Sequence, residues 1–168
     1  MYRNTKWYIG FIAIVLLIAL CAGCSNSISN VMPDKETVDE FITNHSEDIQ
    51  NVTNYLLELR HEYASIDSSD GKIFVDIEYK YIDIKDSEIK TSISNLWKAG
   101  CRTITKSSQY NSIQFLLWRN NFKEIDCGFV YPIYDSRDPS VNYQTELSPI
   151  SNNWYYYISD YGEWRLLH

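Results

Sequence analysis

Glu124-Ile-Asp-Cys-Gly-Phe-Val-Tyr-Pro-Ile-Tyr134 decides the fold of this chain, because Ile125, Cys127, Phe129, Tyr131 and Ile133 recur at every second position. That period predicts a strand with one buried face. Upstream, Ile113 to Arg119 and Arg102 to Lys106 are strand-like as well. So is Lys72 to Ile84, which follows the turn dipeptide Asp70-Gly71. There Ile73, Val75, Ile77, Tyr79 and Tyr81 alternate with Asp76, Glu78 and Lys80, which predicts one strand, buried on one face and wet on the other. Downstream, Asp135 to Asn153 carries Pro139 and Pro149 and predicts a turn-rich loop. Trp154 to Ile158 and Glu163 to Leu167 flank Ser159-Asp160-Tyr161-Gly162, the pattern of a closing hairpin.

Ahead of the strands the period changes. Val38, Ile42, His45, Ile49, Val52, Leu56, Leu59 and Tyr63 are spaced by alternating steps of four and three, the stripe of an amphipathic helix. This helix is either long or broken at Asn44-His45-Ser46-Glu47, where Ser46 would cap a second segment. His45 lies on the apolar stripe, a position typical of a core histidine. Asp86 or Ser87 starts a short helix bearing Ile89, Ile93, Leu96 and Trp97, and Gly100 ends it. The order helix, strand, helix and then several strands predicts an α+β fold, a largely antiparallel sheet with one long or broken N-terminal helix and one short helix packed on it.

The N-terminus has a different character. Arg3 and Lys6 precede an apolar run from Ile9 to Leu20, followed by Cys21-Ala22-Gly23-Cys24. The run falls short of the roughly twenty residues that cross a bilayer, and its basic start and small residues describe an export signal. The ending resembles the lipobox of bacterial lipoprotein precursors, with Cys21 where the pattern usually has Leu. That resemblance implies a signal peptide at 1–23 and a diacylglyceryl anchor on Cys24. Each buried methylene of such an anchor contributes about 0.8 kcal/mol of membrane affinity. The alternative is an uncleaved N-terminal anchor. A CxxC redox or metal pair is disfavoured, since Cys21 would leave with the signal. Residues 24–33 are polar and aperiodic, as in a flexible tether, and 34–168 make a single domain.

The 168-residue chain has a formal charge of −7, and loss of residues 1–23 removes Arg3, Lys6 and no acid, which makes it −9. Such a field repels phosphates, so no nucleic-acid partner is expected. It favours cationic partners by raising their association rate. Five Trp, fourteen Tyr and six Phe are many for one small domain. Part of that content supplies β-propensity, and part suits half-exposed binding surfaces.

Motifs for catalysis are missing from the sequence. His45, His61 and His168 have no metal-ligand spacing, and there is no HExxH, GxSxG or phosphate-cradling glycine loop. No metal or cofactor is expected, and the chain is read as a non-enzyme. Asp67-Ser-Ser-Asp70-Gly71 lacks the alternating ligands and terminal Glu of a calcium loop and is better explained as a solvated turn. Asp76 and Glu78 share a strand face as paired carboxylates would, but Lys80 continues that face, which favours a charged, water-facing row over an acid–base pair. Cys101 and Cys127 are either a disulfide, permitted outside the cytoplasm, or buried free thiols.

Lipobox, precursor length, polar tether and a single α+β domain without catalytic motifs together resemble the small lipoproteins that give immunity to subtilin- and nisin-type lantibiotics. The resemblance implies a monomer on the extracytoplasmic face of a Gram-positive cell membrane that captures a cationic, membrane-active peptide. A generic surface lipoprotein with another partner and an envelope enzyme are the alternatives. For the peptide-binding residues the sequence offers Trp154, Tyr155, Tyr157, Asp160, Tyr161, Glu163 and Trp164, which mix rings and carboxylates densely. A strand there would turn every second ring inward.

Overall fold

A computed structural model of the protein describes residues 31–75 and 80–167. The signal segment 1–23, Cys24 and the tether up to residue 30 lie outside the described residues, as do Asp76 to Tyr79 and His168. No described helix is long and apolar enough to cross a membrane.

The architecture is α+β. Eight strands form one sheet, β1 (Tyr63–Ile66), β2 (Lys72–Val75), β3 (Lys80–Asp83), β4 (Thr103–Ser107), β5 (Ser112–Asn120), β6 (Ile125–Pro132), β7 (Gln144–Pro149) and β8 (Tyr155–Asp160). Their order is β3-β2-β1-β4-β5-β6-β8-β7, and every pairing is antiparallel. The helices are α1 (Lys35–Asn44), α2 (Ser46–Glu58), α3 (Ser87–Ala99) and α4 (Tyr161–Leu167).

Local chemistry sets the helix ends. The Asp34 carboxylate caps α1 by accepting from Thr37 N at 2.9 Å and from the Thr37 hydroxyl. These bonds hold Asp34 below the usual carboxylate value of 3.8. Asp86, not Ser87, caps α3, and Gly100 closes it in the left-handed conformation at φ 113°. The helical stripe divides at His45, which ends α1 and precedes α2, while Ser46 is the first residue of α2 rather than its cap. The His45 ring lies half-buried against Phe41 at 4.7 Å.

One sheet face carries the core. Val38, Ile42, Ile49, Val52 and Leu56 from α1 and α2, with Ile93 and Leu96 from α3, meet Ala64, Ile66, Ile73, Ile104, Ile113, Phe115 and Phe129. Phe115 and Phe129 stack at 4.7 Å, and Trp154 stands edge-on to both. Fully burying such a side chain stabilises by about 1.5–3 kcal/mol. β5 and β6 approach so closely that a Cβ on Gly128 would lie 2.0 Å from the Phe115 carbonyl oxygen.

Four expectations are corrected. Lys72 to Ile84 is not one strand but the antiparallel pair β2 and β3, in register Ile73↔Ile82 and Phe74↔Tyr81. Tyr81 therefore leaves the face of Ile73 and Val75. The helical stripe stops at Glu58, and Tyr63 opens β1 instead of ending a helix. The 135–153 loop contains β7 at the sheet edge. The closing hairpin is not formed, because Asp160 Oδ1 accepts from Glu163 N at 2.9 Å and the chain turns into α4.

Candidate functional site

The described residues cover the face opposite the helices over only part of its width. Over β6 and β8, residues 133–143 cross the sheet, and Val141 closes against Val130 and Tyr157. Asn111, buried and at φ 53°, clasps that crossing. Its side-chain amide donates to the carbonyls of Tyr134 and Arg137, and its oxygen accepts from Tyr134 N at 2.8 Å. Burial raises the Tyr157 hydroxyl well above its ordinary value.

Over β1 to β4 no described segment covers the sheet. Here Tyr63, Phe74 and Tyr81 form a row of rings, each edge-on to the next, with centroids 6.4 Å and 5.5 Å apart. Cross-strand register places them together, since Ser65 pairs with Phe74 and Phe74 with Tyr81. Tyr81 is 66% exposed and Tyr63 40%. A hollow of about 390 Å³ lies over Tyr63, Ser65, Asp67, Phe74, Tyr81, Thr103, Thr105 and Arg119. It adjoins a second, of about 480 Å³, through Ser65, Asp67 and Tyr81, with Ser68, Asp70 and Lys72 on its far side. The Asp67 to Asp70 turn satisfies itself. Ser65 donates to Asp67 at 2.7 Å and Ser68 to Asp70 at 2.5 Å, and the Ser68 bond holds the Asp70 carboxyl below its ordinary pKa. Among the described residues, no group of three or more His, Cys, Asp or Glu is placed to hold a metal ion.

Arg119 links this surface to a third hollow. Its guanidinium donates from two nitrogens to the two oxygens of Asp126, both at 2.7 Å, and this fork raises the Arg119 value further. The third hollow, about 430 Å³, is lined by Arg119, Asn120, Asn121, Glu124, Asp126, Tyr143, Ser159 and Tyr161. Tyr143 stands edge-on to Tyr161 at 4.7 Å and to Trp164 at 5.1 Å.

The residues singled out in the sequence fall into two groups. Trp154 belongs to the core under the helices, Tyr157 to the closed part of the opposite face, and Tyr155 packs beside Tyr157. Trp154 and Tyr157 are buried, and Tyr155 is half-buried. Asp160 caps α4, while Tyr161 and Trp164 gather around Tyr143 and Glu163 is exposed on the first turn. Sequence reasoning missed Tyr63, Phe74, Tyr81 and Tyr143. The available signal was phase, because Phe74 stands out of step with Ile73 and Val75 in a half-buried strand.

Cys101 and Cys127 are free and buried. The Cys101 thiol faces the Thr103 carbonyl at 3.7 Å and that of Cys127 the Pro33 carbonyl at 3.5 Å. Burial pushes their values up to about 12 and about 11. No family model, curated protein or solved structure matches the chain.

Proposed function

We propose that the protein is a lipid-anchored extracytoplasmic binding protein. It captures a cationic amphipathic peptide at the membrane surface and so gives its producer immunity to a lantibiotic. The observation that supports this reading best is the ring row Tyr63, Phe74 and Tyr81, over which no described segment lies, bordered by Asp67 and Asp70. Exposed ring edges and faces accept apolar peptide segments and attract ammonium or guanidinium groups. Carboxylates at the border, within a chain of formal charge −7, concentrate cations near the sheet. The anchor on Cys24 holds the trap in the layer where such a peptide acts. Capture is stoichiometric, by one monomer.

The test expresses the full chain, its Cys24→Ala variant and its Tyr81→Ala variant in a lantibiotic-sensitive Gram-positive strain. Minimal inhibitory concentrations are read for a panel of cationic lantibiotics. A rise for one peptide, weakened in both variants, is the expected result. No rise for any peptide, with surface display verified, removes the immunity reading.

A further inference from the structure

Phe122, at the tip of the β5–β6 hairpin, is 97% exposed, the most exposed large apolar side chain among the described residues. It is presented by a built turn, since Phe122 N and Lys123 N both donate to Asn120 Oδ1, at 3.1 Å and 3.0 Å. Glu124 then takes φ 55° and returns the chain into β6. The start of α4 is joined to the same turn, Tyr161 N donating to the Glu124 carbonyl at 3.4 Å. The last turn of α4 exposes Leu166 at 84% and Leu167 at 68%. Lys123 and Arg165, both exposed, stand next to these apolar groups in the chain.

We propose that the β5–β6 tip and the end of α4 form a second membrane contact, in which Phe122, Leu166 and Leu167 enter the headgroup layer and Lys123 and Arg165 meet anionic lipid phosphates. The exposed Glu124 and Glu163 balance Lys123 and Arg165, so the apolar side chains, on a segment that does not span the bilayer, are what match the chemistry of an interfacial contact. Long basic side chains can lie along apolar surface and keep their charge at the headgroups. The exit of the chain permits it. The Pro33 carbonyl accepts from the Tyr156 hydroxyl at 3.1 Å and from the Cys127 thiol, and Cys127 is the third residue of β6 beyond the tip. From Pro33 back to Cys24 the chain reaches at most about 30 Å. Both contacts can therefore rest on one leaflet. The hollow lined by Asn120, Asn121, Glu124 and Tyr161 would then open at the lipid surface.

The inference rests on the anchored reading for its two-point geometry, and the test separates the two. The full chain carries Phe122→Cys or, at the opposite end of the sheet, Tyr134→Cys, labelled with an environment-sensitive fluorophore. Burial of Cys101 and Cys127, with Cys21 replaced by Ser in the Cys24→Ser form, keeps the label at the new site. Each protein is mixed with phosphatidylglycerol vesicles, with and without Cys24→Ser, and mass spectrometry reports lipidation. A blue shift at 122 but not at 134, quenched by lipids brominated in the upper acyl chain, is expected in both forms. The unlipidated form needs more lipid, and Leu166→Ser with Leu167→Ser weakens its binding roughly tenfold. An unshifted 122 on a lipidated, vesicle-bound chain overturns the second contact and leaves the anchor standing. Absence of lipidation with the 122 shift retained does the reverse. A shift at 122 that needs protein concentration and no vesicles assigns the tip to a second copy of the chain and also overturns the proposal.

Discussion

Two parts of one sheet surface carry rings of the same chemistry in opposite states. Over β6 and β8, Tyr157 is 2% exposed beneath Val141 and the 133–143 crossing. Over β2 and β3, Tyr81 is 66% exposed with no described segment above it. Strand alternation sends both to the face away from the helices, so alternation does not separate them. What separates them is a connection about ten residues long and the buried Asn111 that holds it down. An antiparallel sheet with helices on one side keeps its other side available, and the described residues cover only part of it.

The comparison is broken most severely at Tyr157. Tyr157→Ala should lower unfolding stability by about 3–4 kcal/mol, as large-to-small changes in a closed core do. Tyr81→Ala should change it by less than about 1 kcal/mol while weakening peptide capture. Urea denaturation of both variants checks this, and equal losses would mean that the open row is structural after all. Next comes Asn111→Ala. Its removal strands the Tyr134 N–H and two carbonyls, at a cost of about 2–3 kcal/mol. Amide exchange should rise across 134–141 and stay unchanged in β1 to β3. Uniform acceleration would show that the crossing is not a separate unit. The smallest effect, absent at neutral pH, comes from the thiols under the sheet. Their folded values, about 12 for Cys101 and about 11 for Cys127, lie above the ordinary 9.0. A raised value means that the contribution is complete below pH 9 and is lost as the pH climbs toward 11 to 12. Urea midpoints should therefore be flat up to pH 9 and fall above it, with a shallower fall in Cys101→Ala.

Where burial is continuous, the sequence was readable. Val38, Ile42, Ile49, Val52 and Leu56 follow the helical period and all lie in the core, and Cys127, Phe129, Tyr131 and Ile133 share the helix-facing side. The α+β class follows from those two patterns. Failures came where one period ran through a change of element. Apart from Phe74, apolar residues recur at every second position from Ile73 to Tyr81 with no Gly, Pro or Asn between them, so β2 and β3 merged into one strand. Tyr63 kept the helical spacing by coincidence and opened β1. β7, an edge strand of Gln-Thr-Glu-Leu-Ser-Pro, has little β-propensity of its own and forms against β8. The Glu163 to Leu167 segment was ambiguous, and a cap three residues upstream decided for helix. Of the candidate site, the sequence disclosed Tyr161 and Trp164 but not Tyr143, which reaches them from a residue at φ 55° in a loop. The row Tyr63, Phe74 and Tyr81 depends on the pairing of three short strands, a tertiary fact.

The attachment of Pro33 to Tyr156 and Cys127 has a mechanical side. Tension on the N-terminal end first meets two single hydrogen bonds and the Asp34 cap, then α1, and reaches no strand until α1 and α2 have been drawn off. Helix turns released in sequence yield at lower load than strands sheared together. Losing α1 alone would lengthen the leash by roughly 35 Å. A chain hauled from that end would pay out line before its sheet carried any strain.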